Sequence, residues 1–187
     1  MGLWPLTAAH RGNDIINNCN SIEYPPSSGI VSPSIGPTGA GMAGLSIEGT
    51  MLQMTSDDCK STTQADDISF SMFVRAQSTA GMPVLEWLEK DSLGTGPIGV
   101  HFWLNFGGDN KALLQSYSGN INLALPTHDY QFYSMNIDRT RQSTSLKVNG
   151  VTIGATAYTS SNPTQTFGGF LLGGRATTSA RLTANVA

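Results

Sequence analysis

The segment 130–154 reads YQFYSMNIDRTRQSTSLKVNGVTIG. Within it Tyr133, Met135 and Ile137 alternate with Phe132, Ser134 and Asn136, the period of two expected when the faces of a strand meet different surroundings. A polar break at 138–143 follows. Leu146 and Val148 then share one face while Lys147 takes the other. The run closes on Asn149-Gly150, a dipeptide that tolerates positive φ and marks a two-residue hairpin turn. Residues 151–154 return as a third strand. The segment therefore predicts an antiparallel meander.

The same grammar extends outward in both directions. Ile68, Phe70, Met72 and Val74 lie on one side of 68–75, with Phe73 and Arg75 on the other. In 98–105, Ile98, Val100, Phe102 and Leu104 are set against His101, Trp103 and Asn105. Further strands are expected at 82–88, 112–117, 121–125, 170–172 and 181–186, and two short ones in 45–54 around Glu48-Gly49. Residues 3–6 read as a first strand that Pro5 confines to an edge. Residues 7–44 are rich in Gly, Pro, Ser and Asn and read as a long N-terminal loop wrapped over the surface. No segment has helical periodicity. Strands about ten residues apart with turn signals between them mean an all-β chain, a two-sheet antiparallel β-sandwich. Strands 68–75, 98–105 and 131–137 are expected in one sheet. Their core-facing residues, with Leu146 and Val148, are the expected core.

At 187 residues the chain is read as one domain, 1–187, long enough to bury a sizeable core. Only 12% of residues are charged and 21 are glycine, a composition that suits short strands and tight turns. A formal net charge of −3, with no basic stripe, argues against nucleic acid as a partner. No apolar run approaches the ~18–20 residues that span a bilayer, and the opening residues show no signal-peptide pattern. Cys19 and Cys59 lie in the polar contexts NNCNS and DDCKS. An even count in a polar, low-charge domain fits a disulfide if the compartment is oxidising, and the bond would stabilise the fold by roughly 3–4 kcal/mol. Two free thiols are the other reading.

The order of segments resembles the laminin-G-like domains of the concanavalin A-like jelly-roll superfamily. The matching pieces are GLWPL at 2–6 followed by Asn13-Asp14-Ile15, ISFSMFVRAQ at 68–77 and GVHFWLNF at 99–106. YQFYSMNIDR at 130–139, SLKVNGVTIG at 145–154 and FLLGGR at 170–175 continue the series. The resemblance covers most of the chain and is weakest across 16–44. Where the family often carries Trp-His at the start of the strand at 131–137, this chain has Gln131-Phe132. The resemblance implies a concanavalin A-like jelly roll and a secreted, extracellular module. It also implies Ca2+ at the sandwich rim, for which Asp109 and Asn110 in the turn after Gly107-Gly108 offer hard oxygens. The plainer reading is that these Asx residues simply make the turn.

Retaining glycosidases need two carboxylates about 5 Å apart flanking the scissile bond. In EWLE at 86–89 the spacing of three puts Glu86 and Glu89 on opposite strand faces, so the chain is read as not an enzyme. The alternation instead turns Phe73, Arg75, His101, Trp103, Asn105 and Asn136, with Phe132 and Ser134, away from the core. Aromatic rings beside amide, imidazole and guanidinium groups suit a sugar. The leading expectation is a non-enzymatic recognition and adhesion module that binds glycan or extracellular protein. The alternatives are a structural or self-assembly domain, a homo-oligomer included, and third a polysaccharide-acting enzyme.

Overall fold

The computed structural model describes residues 22–23, 30–39, 44–54, 68–76, 82–89, 101–104, 111–116, 119–124, 129–138, 140–141, 143–157, 167–174 and 182–187. Among these residues none is helical, and fourteen strands form two antiparallel sheets of seven. The first, the β10 sheet, runs in the order β12 (Val151–Ala157), β11 (Ser143–Val148), β10 (Gln131–Asp138), β5 (Ile68–Ala76), β14 (Leu182–Val186), β3 (Gly44–Thr50) and β2 (Ile30–Ser34). The second, the β6 sheet, runs β1 (Ile22–Glu23), β4 (Leu52–Met54), β13 (Phe167–Leu172), β6 (Met82–Glu89), β7 (His101–Leu104), β8 (Lys111–Ser116) and β9 (Gly119–Ala124). The all-β sandwich expected from the strand spacing is thus the fold.

The meander at 130–154 is present in the register its alternation implies. Tyr133 stands opposite Val148 and Met135 opposite Leu146, and all four are buried. Asn149 (φ 50°) and Gly150 (φ 83°) both take positive φ, which matches the turn to the twist of the strands it joins. Asn149 does more than turn the chain. Its backbone N–H donates to the Phe132 carbonyl at 2.8 Å and its Oδ1 accepts from the Phe132 N–H at 2.9 Å. Its Nδ2 donates to Gln131 Oε1 at 2.5 Å. The hairpin tip is therefore pinned to the start of β10.

The core lies between the sheets. Phe102, fully buried, meets Tyr133 of the facing sheet with ring centroids 5.1 Å apart. Met72 and Val74 are buried beside them, and Phe70 is half-buried. Of the other expected core residues, Ile98 and Val100 lie outside the described residues, and Ile68, Leu104 and Ile137 are placed in strands by their backbone alone. Ile47, Leu52, Leu85, Leu172, Ala184 and Val186 also belong to it; Val84 is buried too, and Leu171 packs with Met51 in a second buried cluster.

Three expectations are corrected. Strand β7 does not join β5 and β10 but lies in the opposite sheet. Alternation fixes which residues share a strand face and leaves open which sheet the strand enters. The stretch 7–44 holds two strands, β1 and β2, within what reads as loop. β2 sits at a sheet edge, where Pro33 is tolerated because an edge strand has one side without ladder bonds. Finally, 45–54 does not break at Glu48-Gly49. Gly49 (φ 66°) is the extra residue of a bulge against β14, where Leu182 pairs with Thr50 and Thr183 with Glu48. The break is at Met51, where the chain leaves one sheet for the other. The Gly-Gly after β13 serves that corner. Gly173 takes φ 86° and donates its N–H to the Val84 carbonyl at 2.8 Å. A Cβ on Gly174 would stand 2.6 Å from the Met51 sulfur. The expected strand at 3–6 and the Cys19–Cys59 pair lie outside the described residues.

Tyr133 carries a pH consequence. Burial pushes its phenol well above the usual tyrosine value of 10.0. A raised folded-state pKa stabilises the fold fully below the unfolded value, and that stability is lost as pH rises through the folded one. Stability therefore falls above pH ~10 by up to about 1.4 kcal/mol per pH unit from this residue. Urea unfolding at pH 8, 10 and 11 should show that slope, shallower in Tyr133→Phe. An equal slope in both proteins would assign it to other groups.

Candidate functional site

The outer face of the β10 sheet follows from the strand parity. Where Met72, Val74, Tyr133 and Met135 point inward, the residues between them turn out. Phe73 is registered opposite Phe132, Ser71 opposite Ser134 and Ser69 opposite Asn136. Each pair meets. The two phenyl rings are tilted at 47° with centroids 4.8 Å apart. Ser71 Oγ donates to Ser134 Oγ at 3.2 Å, and Ser69 Oγ to Asn136 Oδ1 at 2.6 Å. The result is one aromatic step followed by a polar ladder along the same pair of strands.

Each end of this face is held. At one end the Arg75 guanidinium lies over the Tyr130 ring, 5.2 Å from its centroid, a cation–π contact that fixes both side chains. The Tyr130 hydroxyl donates to the Ile35 carbonyl at 2.5 Å, tying the start of β10 to the chain just beyond β2. At the other end Asp138 accepts the Arg141 backbone N–H at 2.7 Å and one guanidinium N–H at 3.4 Å. These contacts order the polar break after β10. At this end lies an open depression of about 400 Å³ lined by Ser69, Asn136, Asp138, Arg141, Ser143, Ser145 and Lys147. Hydroxyls, an amide and charges line it, so it can exchange hydrogen bonds with a polyhydroxylated ligand.

The six residues expected to form one ligand face are divided by the structure. Phe73, Arg75 and Asn136 lie together on the β10 sheet. His101 and Trp103 belong to β7 in the opposite sheet, and Asn105 lies outside the described residues. On the side of the β6 sheet facing away from Phe102, Trp103 is half-buried with its indole nitrogen withdrawn from solvent. In the row beside it Leu171 and Glu86 are 1% and 0% exposed, so that side is not an open sheet surface. Glu86 stands opposite His101 in register and is beyond the reach of a bulky substrate. Asp109 and Asn110 lie outside the described residues. Among the described residues no group of three or more His, Cys, Asp or Glu side chains could hold a metal ion, and no helix is long and apolar enough to cross a membrane.

Sequence reasoning names neither Tyr130 nor the lining group Ser69, Asp138, Arg141, Ser143, Ser145 and Lys147 as site residues. The parity of 143–148 would place Ser143, Ser145 and Lys147 outward. That they meet Ser69 and Asn136 follows only from the register of β11 on β10 and of β10 on β5.

No family model matches the sequence, and no curated protein sequence matches it. Solved structures do match in fold. Domain 4 of the extracellular GH43 arabinanase AbnA from Geobacillus stearothermophilus, solved with arabinotriose, superposes with a TM-score of 0.65 at 12% identity, over 93% of this chain and 82% of that one. The CBM40 domain of the Ruminococcus gnavus IT-sialidase, bound to α2,3 sialyllactose, gives 0.58 at 14% identity, over 76% and 87%. The binding domain of botulinum neurotoxin DC, in complex with rat synaptotagmin II, gives 0.62 at 10% identity, over 100% of this chain and 45% of that one. The chain spans less than half the length of the toxin binding domains it matches. At these identities the likeness is one of fold, a β-sandwich shared with domains solved with bound sugars and with a toxin binding domain.

Proposed function

We propose that this chain is a non-catalytic recognition module that binds a glycan on the outer face of the β10 sheet. The observation that carries the reading is the Phe73–Phe132 pair standing at the head of a hydrogen-bonding ladder that ends in the polar depression. A sugar ring has an apolar C–H face and a rim of hydroxyls. Phe73 and Phe132 meet the first, and Ser134, Asn136 and Ser145 meet the second. Four residues along β10 separate Phe132 from Asn136, about 13 Å at strand rise, which suits a short oligosaccharide. The burial of Glu86 supports a non-catalytic role, and the sandwich fold shared with sugar-binding domains supports the ligand class. The finer assignment, a secreted laminin-G-like adhesion module with a Cys19–Cys59 bond, is part of the same proposal and rests on the segment order and on the polar settings of the two cysteines.

Glycan-array binding is the test, with Phe73→Ala/Phe132→Ala as the variant. Each stacked ring contributes on the order of 1 kcal/mol, so the double variant should bind about tenfold or more weakly. A silent array, or unchanged affinity in the double variant, would remove the reading.

A second reading has its own support. β12 closes one edge of the β10 sheet among the described residues. Its sequence VTIGATA has no charge and no proline, and Val151 is 63% exposed. β9, at the edge of the other sheet, runs close to β12 with no ladder between them among the described residues. An edge strand whose outer backbone groups lack a ladder is a template for another strand, as the structural and self-assembly reading requires. Light scattering that shows a concentration-dependent dimer beside a silent array would favour it.

A further inference from the structure

We infer that the glycan carries a negative charge, a carboxylate or a sulfate, and that the depression beside Asn136 holds it. The inference rests on the recognition reading above and names the class of sugar. The depression holds two cations, Arg141 and Lys147, against one carboxylate, Asp138. That carboxylate is engaged locally, one oxygen by the Arg141 backbone N–H at 2.7 Å and the other by a single guanidinium N–H at 3.4 Å. Lys147 stands exposed opposite Ser134 on the neighbouring strand, one pair nearer the phenyl rings than Ser145 and Asn136. No ion pair reaches it among the described residues. Asn136 accepts the Ser69 hydroxyl on its Oδ1, which leaves the Nδ2 donor for a ligand oxygen. Arg75 stands beyond the rings at the far end.

A neutral sugar would be served by the serines and the amide alone. With Asp138 offsetting one of them, the two cations leave a net positive charge on a surface whose remaining groups are hydroxyls and an amide, and an anionic oxygen at Lys147 would add a charge-assisted hydrogen bond to the stacking nearby. The attraction between exposed charges a few ångströms apart in water is worth roughly a fivefold change in affinity, and salt weakens it.

The test uses the whole chain on an array of matched pairs, each uronate glycan beside its methyl ester and each sulfated glycan beside its desulfated form, in 50 mM and 500 mM NaCl. The expected result is about fivefold weaker binding on loss of the charge, a preference that shrinks at high salt and disappears in Lys147→Glu. The exposed Lys147 should leave the urea midpoint of that variant unchanged. The uronate and sulfate arms show which anion is preferred. Equal binding within every pair overturns the inference and leaves glycan recognition standing. An acidic preference that survives Lys147→Glu also overturns it, by placing the anion elsewhere. An array silent to all pairs removes the recognition reading and this inference together.

Discussion

A chain ending at residue 181 should show no cooperative unfolding transition in urea. Residues 182–187 contain β14, which lies between β3 and β5 and joins the two parts of the β10 sheet. Val186 stands opposite both Leu45 and Val74, and Ala184 opposite Ile47 and Ala76. Ala184 and Val186 are fully buried, and Ala187 exchanges two backbone hydrogen bonds with Phe73, at 2.8 and 3.0 Å. Without the strand, two ladders lose their partners. Each buried donor or acceptor left unpaired costs about 1–3 kcal/mol, and several together exceed the whole stability of a typical domain, about 5–15 kcal/mol. Far-UV circular dichroism against urea should give a broad, sloping loss of signal. A sigmoidal transition near the full-length midpoint would show that the sheet survives without its inner strand.

Phe102→Ala should cost about 3–5 kcal/mol, the range for deleting a fully buried phenyl ring. Phe102 heads the fully buried side chains by volume and packs on Tyr133 across the two sheets, so its removal opens a cavity on the midline where neither sheet can collapse alone. The urea midpoint should drop with an unchanged slope. A loss below about 1 kcal/mol would mean that the facing side chains refill the space.

The meander was legible because every one of its signals is local. A period of two sets the faces, Asn149-Gly150 sets the turn, and the turn sets the register. The partition of strands between sheets was not legible, because it depends on where the chain crosses the sandwich. At Met51 the crossing takes one residue with no glycine or proline of its own, while the nearby glycine that looked like a break only bulges the strand. β2 escaped because an edge strand reading IVSPS is held by its backbone ladder to β3, not by an alternating face. The proposed site shows the same division. Phe73, Arg75 and Asn136 were visible from strand parity alone. Trp103 shares that parity on its own strand and still belongs elsewhere, since parity carries no information about the sheet. That Lys147 and Asn136 line one depression required knowing which strands are neighbours.

The place of β14 also governs how fast the molecule assembles. Its partners in β3 and β5 precede it by more than a hundred residues, so both ladders are non-local contacts whose loop-closure entropy is lost before any pairing compensates it. Local hairpins such as β10–β11–β12 can form early, on the microsecond scale of isolated hairpins. The β10 sheet closes only when β14 enters. During synthesis β3 and β5 therefore wait with open edges until residue 186 has been made. In that interval the chain is most exposed to pairing with a neighbour of its own kind, and the yield of folded protein should depend more on concentration during refolding than on the final stability.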